Sequence, residues 1–220
     1  MSNRTKRVFL VFGLPRSGTS LVAHILHTLN VSMGERLKRN TAWCRDGLYE
    51  DLEFDDLVKT LINDTNTRCI GGKLLKTDRP DVIDSLWSLV QSRNVMHNEW
   101  GVKNLLMPWI MQSFEQWCQP AELSLVRCWR EPHEAIESYA ARTGENIFSA
   151  AQEAGVQLLI AGKGYAMHDG PKITVDYAHL LAEPALCTQM LADFVGLPWT
   201  EAAALCVDRT QRRFGVREAG

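Results

Sequence analysis

A glycine-rich segment near the start of the chain, Gly13-Leu14-Pro15-Arg16-Ser17-Gly18-Thr19-Ser20, carries residue types that bind an anion. Its two glycines let the backbone turn N–H groups onto a ligand. The helical pattern that follows (Leu21, Val22, Ile25, Leu26, Leu29) adds the positive potential of a helix N-terminus. Arg16 adds a planar, permanently charged fork, and Ser17, Thr19 and Ser20 add hydroxyl donors. A nucleotide triphosphatase loop reads G-x-x-x-x-G-K-[ST]. Here the glycine spacing holds, but Thr19 stands where the lysine belongs and the cation has moved to Arg16. A second constellation follows the apolar run Leu123–Trp129. Arg130 leaves the run, Pro132 opens a helix, Ser138 lies two turns in, and Arg142 is one turn further on the same face. Arginine and serine so placed can close on one phosphate, the first by a charge-assisted bidentate contact and the second through its hydroxyl.

The spelling G-x-P-R-S-G-T-S resembles the 5′-phosphosulfate loop of sulfotransferases that use 3′-phosphoadenosine 5′-phosphosulfate (PAPS). Arg130-Glu131-Pro132 with Ser138 resembles the same family's 3′-phosphate motif. Tyr177 through Pro184, followed by Phe194-Val195-Gly196-Leu197-Pro198, is similar to its Y-x-x-L-x-x-x-P … F-L-G-L-P segment. Read from its residues alone, that third stretch is structural, with Tyr177 ending a strand. The resemblance spans Val8 to Pro198. It implies a three-layer α/β sandwich with a mainly parallel central sheet and a P-loop. It also implies PAPS as donor, adenosine 3′,5′-bisphosphate as product, and cofactor contacts from Arg16, Ser17, Gly18, Thr19, Ser20, Arg130 and Ser138. Some members have a basic C-terminal loop that closes on the 3′-phosphate. Arg209 through Gly215 is the matching stretch, and either Arg212 and Arg213 join the site or the stretch is a solvated tail.

Sulfonate transfer to an acceptor hydroxyl or amine resembles phosphoryl transfer: positioning and charge stabilisation dominate, a base takes the acceptor proton, and no metal is needed. Arg16 is the natural partner of the leaving 5′-phosphate. Steroid- and phenol-type members carry a histidine in the region matching Val102-Lys103-Asn104-Leu105-Leu106, where this chain has Asn104 or Leu105; His97 lies before that strand. Gly47-Leu48-Tyr49-Glu50-Asp51 resembles the G-x-[YF]-E-D segment of small bacterial-type sulfotransferases. That makes Glu50 the candidate base and Asp51 the second choice; otherwise Glu50 is a solvent-facing carboxylate at a helix start. Trp100-Gly101-Val102-Lys103-Asn104 resembles the family's W-G-x-K-[DN]. Lys103, at a strand's carboxyl end, can reach a bridging oxygen or the transferring sulfonate. Lys73 and Lys76 are either acceptor-side cations or part of a solvated basic loop. Two other functions stay open. A P-loop nucleotide or nucleoside kinase would require a lysine at Thr19 and a magnesium-holding acid after a second strand. A non-catalytic protein would bind adenosine 3′,5′-bisphosphate or a partner protein.

The elements that must position these groups alternate. Val8–Phe12 reads as the first strand, with the loop and helix behind it. Glu35–Asp56 is a polar, charged stretch, and Leu57–Ile62 reads as helical. Gly71–Pro80 reads as a loop with a short strand around Leu74. A helix is expected over Asp81–Gln91, a short strand at Trp100–Asn104, and a helix from Pro108 to Cys118. Then come the Leu123–Trp129 strand, helices at Pro132–Arg142 and Ser149–Gly162, a last strand at Lys172–Tyr177, and helices to Cys206. Strands spaced by helices imply a sheet covered on both faces, with the site at the strands' carboxyl ends.

Composition excludes other classes. The chain has 220 residues, 45% hydrophobic and 23% charged, which suits one domain over residues 1–220. A net charge of −2 gives no overall basic field for nucleic acid. The apolar run ending at Gly13 is too short to span a bilayer and fits no signal segment. Six scattered cysteines without a C-x-x-C pair read as reduced thiols in a cytoplasmic protein. The acceptor (a small molecule, lipid-like molecule, sugar or peptide) and the oligomeric state are left open. Seven tryptophans, including Trp43, Trp100 and Trp109, line an aromatic or sugar site or fill the core.

Overall fold

The computed structural model describes residues 6–38, 47–64, 66–70 and 73–207. Trp43, Cys44 and the basic stretch holding Arg209, Arg212 and Arg213 lie outside them. The order is β1 (Arg7–Gly13), α1 (Thr19–Thr28), α2 (Leu52–Ile62), β2 (Arg68–Ile70), β3 (Lys73–Lys76), α3 (Pro80–Met96) and β4 (Glu99–Lys103). A 3-10 turn (Met107–Ile110) leads into α4 (Met111–Cys118), β5 (Glu122–Trp129), α5 (Pro132–Thr143), α6 (Ile147–Met167) and β6 (Lys172–Asp176). The short α7 (Tyr177–Ala182), α8 (Pro184–Val195) and α9 (Glu201–Leu205) follow.

Four strands form one parallel sheet in the order β4-β1-β5-β6. Val8, Phe9, Leu10, Val11 and Phe12 of β1 are each 0% exposed. A continuous apolar run of this kind is what a central parallel strand, buried on both faces, requires. On one face Val8, Leu10 and Phe12 pack with Val102 and Leu125 against α2, α3 and α4. There Phe54, Trp100 and Phe114 meet with ring centroids 5.8 to 6.4 Å apart. On the other face Phe9, Val11, Val126 and Val175 pack against Val22, Ile25 and Leu26 of α1 and Leu191 and Val195 of α8. The chain steps from β1 to β4 on one side, then to β5 on the other. The strand order therefore reverses at β1, and a crevice opens at the carboxyl ends of these three strands.

The structure revises several sequence-based boundaries. α2 begins at Leu52, because Asp51 caps it by accepting from the Glu53 N–H at 3.2 Å. The short strand expected around Leu74 is present as β3, and it pairs antiparallel with β2 outside the main sheet. Pro108 sits in the 3-10 turn before α4. α6 starts at Ile147 because Asn146 caps it, and it runs on to Met167. Tyr177 opens α7 instead of ending β6, since the Asp176 side chain accepts from the His179 N–H at 2.8 Å and starts the helix one residue earlier.

Candidate functional site

The glycine-rich loop leaves β1 at the reversal point. Arg16 has φ 69° and Gly18 φ 91°. A non-glycine residue held in the left-handed region costs about 1–3 kcal/mol, a strain typical of ligand-binding turns. Gly18 is required twice over: besides its φ, an added Cβ would lie 2.5 Å from a ring carbon of Tyr177. Ser17 is 1% exposed. Its N–H and its hydroxyl both donate to the Leu14 carbonyl, at 3.1 and 2.7 Å. The hydroxyl expected to face a ligand therefore closes the loop instead. Thr19 is buried in the first turn of α1, and Ser20 beside it is half-buried.

The second motif comes to the same place. Ser138, 2% exposed on α5, accepts from Arg16 Nε at 3.1 Å. Arg130 donates from Nη1 to the Arg16 carbonyl at 3.2 Å and from Nε to Glu134 at 2.9 Å. Its guanidinium lies 5.2 Å from the Tyr177 ring centroid, within cation–π range. Beside this cluster runs a groove of about 440 Å³ lined by Gly13, Leu14, Arg127, Trp129, Arg130 and Leu158. Arg142 is exposed in the last turn of α5.

At the end of β4, Lys103 is only 3% exposed. Its Nζ donates to Glu50 Oε1 at 2.6 Å and to Ser20 Oγ at 3.2 Å. Lys38 Nζ lies 3.5 Å from the other Glu50 oxygen. Burial pushes the Glu50 carboxyl up, but the charge and hydrogen bond of Lys103, with Lys38 and Lys59 beyond, outweigh it and hold the group below its ordinary value. Glu50 is placed there by a backbone bridge. The Lys38 N–H donates to the Glu50 carbonyl at 2.8 Å and the Leu52 N–H to the Arg36 carbonyl at 2.9 Å, so residues 36–38 and 48–52 run antiparallel.

The helix-start carboxylate is thus Asp51, not Glu50. Asp51, the second choice for the base, is 1% exposed and committed to its cap and to Arg93 Nη2 at 2.8 Å. His97 lies against Glu35 at 3.1 Å and Ser32 at 3.4 Å. Lys73 and Lys76 are exposed on β3. Trp100 is core, donating from Nε1 to Asn94 at 2.9 Å. Tyr177 and Arg93 had no site reading in the sequence: Tyr177 ended an alternating stretch that fits a strand, and Arg93 fell just past the helix expected to end at Gln91, which in fact runs to Met96. Among the described residues no group of His, Cys, Asp and Glu is arranged to hold a metal, and no helix is long and apolar enough to cross a membrane.

No family model and no curated protein matches the sequence. Solved structures do match the fold. The sulfotransferase domain of the Synechococcus olefin synthase superposes with a TM-score of 0.54 at 17% identity, over 99% of this chain and 83% of its own. The sulfotransferase domain from the curacin biosynthetic pathway gives 0.54 at 17% identity, over 95% and 80%. Sulfotransferase STF1 of Mycobacterium tuberculosis gives 0.53 at 15%, over 92% and 70%. With its parallel four-stranded sheet, helices on both faces and the loop after β1, the chain has the fold of the sulfotransferases.

Proposed function

We propose that this chain is a PAPS-dependent sulfotransferase that moves a sulfonate group to an acceptor hydroxyl or amine of a small molecule, sugar or peptide. One observation carries the reading: the two phosphate motifs, far apart in sequence, are joined by the Arg16–Ser138 contact at 3.1 Å. A ligand that bridges them needs two separate phosphate groups, which PAPS has; ATP, without a 3′-phosphate, leaves the second motif idle. The groups present suit such a ligand: two guanidiniums, the buried Lys103 ammonium, and the hydroxyls of Ser138 and Ser20.

Bound there, PAPS supplies a sulfonate on a phosphosulfate anhydride. The 13–20 loop and Arg16 hold the 5′ end, with Gly18, Thr19 and Ser20 at the helix N-terminus. Arg130 and Ser138 hold the 3′-phosphate; Arg212 and Arg213, outside the described residues, either add further cations to it or belong to a solvated tail. Tyr177 offers an aromatic face between the two ends. Lys103 gives up Glu50 for the anionic donor, and Glu50, released from its cation, regains basicity and takes the acceptor proton.

Calorimetric titration with adenosine 3′,5′-bisphosphate and with ATP tests the donor site. Tight binding of the first alone is expected; preference for ATP would overturn the reading in favour of a kinase. Transfer of labelled sulfonate from PAPS across a panel of hydroxyl and amine acceptors then tests catalysis. Binding of the bisphosphate with no transfer, not even to water, would mark a non-catalytic nucleotide binder.

A further inference from the structure

Glu50 is held by the residues on either side of it. Tyr49 has φ 52°, and its ring stacks on His24 of α1, with centroids 4.9 Å apart and planes at 15°. The same ring lies 5.4 Å from His27. On the other side Asp51 joins Arg93 of α3 at 2.8 Å, with side-chain exposures of 1% and 4%. Arg93 also reaches Glu35 at 3.1 Å, and the Glu35 N–H donates to Asp51 at 3.3 Å. Gly34, at φ 134°, makes room for this packing: a Cβ there would lie 2.5 Å from Asp51 Oδ2. Three consecutive residues are thus tied to three different elements: Tyr49 to α1, Glu50 to β4, Asp51 to α3.

A buried ion pair is weak support for stability, because removing two charges from water offsets their attraction. Its geometric use is stronger. A register shift of one residue in an extended segment sends the next side chain to the opposite face. We propose that the Arg93–Asp51 pair is a positioning device that sets the register of residues 49–51, so that Glu50, and neither neighbour, meets Lys103. The inference rests on Glu50 being the base.

The test is the neutral double variant Asp51→Asn/Arg93→Met, which leaves no orphan charge within the pair, with Arg93→Lys as the milder form. Acetic anhydride labelling of Lys103, read by mass spectrometry, reports the Glu50–Lys103 contact without any turnover. Sulfonate transfer from PAPS, to water when no acceptor is added, reports catalysis. The double variant should bind adenosine 3′,5′-bisphosphate as wild type does and label several-fold faster at Lys103. Its kcat should fall about tenfold to a hundredfold, with a KM for PAPS no higher than that of wild type, the scale of a misplaced catalytic group. In a Glu50→Gln background the same substitutions should cost no further turnover. Normal Lys103 protection in a variant that binds the bisphosphate, or a loss that multiplies with that of Glu50→Gln, would overturn the proposal. If the double variant does not fold, Arg93→Lys decides by the same two readouts. Unchanged turnover in Glu50→Gln alone would instead refute the base, and the labelling result would still judge the positioning.

Discussion

The two ends of the crevice are built from opposite kinds of contact. At the loop end, guanidinium groups rest on neutral oxygens: Arg16 on the Ser138 hydroxyl and Arg130 on the Arg16 carbonyl, with the half-exposed Glu134 as carboxylate partner of Arg130. At the β4 end, an ammonium and a carboxylate are in direct contact and largely dry, with side-chain exposures of 3% and 14%. A phosphate arriving at the first end meets guanidiniums held by neutral oxygens and one half-exposed carboxylate, and gains charge-assisted bonds. An anion arriving at the second end must first win Lys103 from Glu50. In the proposed reaction, phosphate binding at the loop end and release of Glu50 at the β4 end rest on different contacts, so each can be broken without the other.

The largest expected effect is at the β4 end. Glu50→Gln keeps the shape and the acceptor for Lys103 but removes the proton acceptor, so turnover should drop about 10²- to 10⁴-fold while bisphosphate affinity holds. Steady-state transfer and calorimetry on the same preparation check this; a parallel loss of both would erase the distinction between the ends. At the loop end, Arg16→Ala should lower turnover about 10²- to 10³-fold, as for a lost charge-stabilising donor. Arg130→Ala should weaken adenosine 3′,5′-bisphosphate by about 2–5 kcal/mol, and adenosine 5′-phosphosulfate, which lacks the 3′-phosphate, far less. Equal losses for the two ligands would move Arg130 off the 3′-phosphate.

Smaller effects sharpen the contrast. Gly18→Ala pushes a methyl into Tyr177 at an unfavourable φ, and should cost about 1–2 kcal/mol of stability, measured by urea unfolding. The smallest is a pH effect. Because the folded protein holds the Glu50 carboxyl below its ordinary value, the ion pair stabilises fully above that value and its contribution is lost as pH falls through the depressed one. The Tm gap between wild type and Glu50→Gln should be full at neutral pH and close on acidification. A gap that widened in acid would mean the pair opposes folding.

What could be read in advance follows the same division. A strand, a glycine loop and a helix that bind an anion are contiguous, so the 13–20 segment announces itself, and Arg130 with Ser138 spans only a strand end and two helical turns. The parallel sheet was legible for a similar reason, since β1 is an unbroken apolar run from Val8 to Phe12 and β5 is interrupted only by Ser124 and Arg127 between Leu123 and Trp129. The Glu50 segment was harder. Its place depends on backbone pairing with residues 36–38 and on Arg93, more than forty positions away, and no local periodicity encodes either. The start of α2 was hidden by its own first turn. Glu53, Asp55 and Asp56 read as a solvated stretch, although Phe54, Val58 and Leu61 recur at helical spacing and are buried. Tyr177 was drawn into β6 by its strand propensity, and the cap formed by Asp176 overrode it.

The contact between Gly18 and Tyr177 also sets an order of assembly. The loop comes before all of its partners in the chain: the hydroxyl that takes Arg16 comes from residue 138, the guanidinium on its carbonyl from residue 130, and the ring against Gly18 from residue 177. A nascent chain that ends within α6 carries the whole loop sequence without the ring that shapes it. The loop is therefore written before the groups that shape it, and its folded form reports that α5 and the start of α7 have docked.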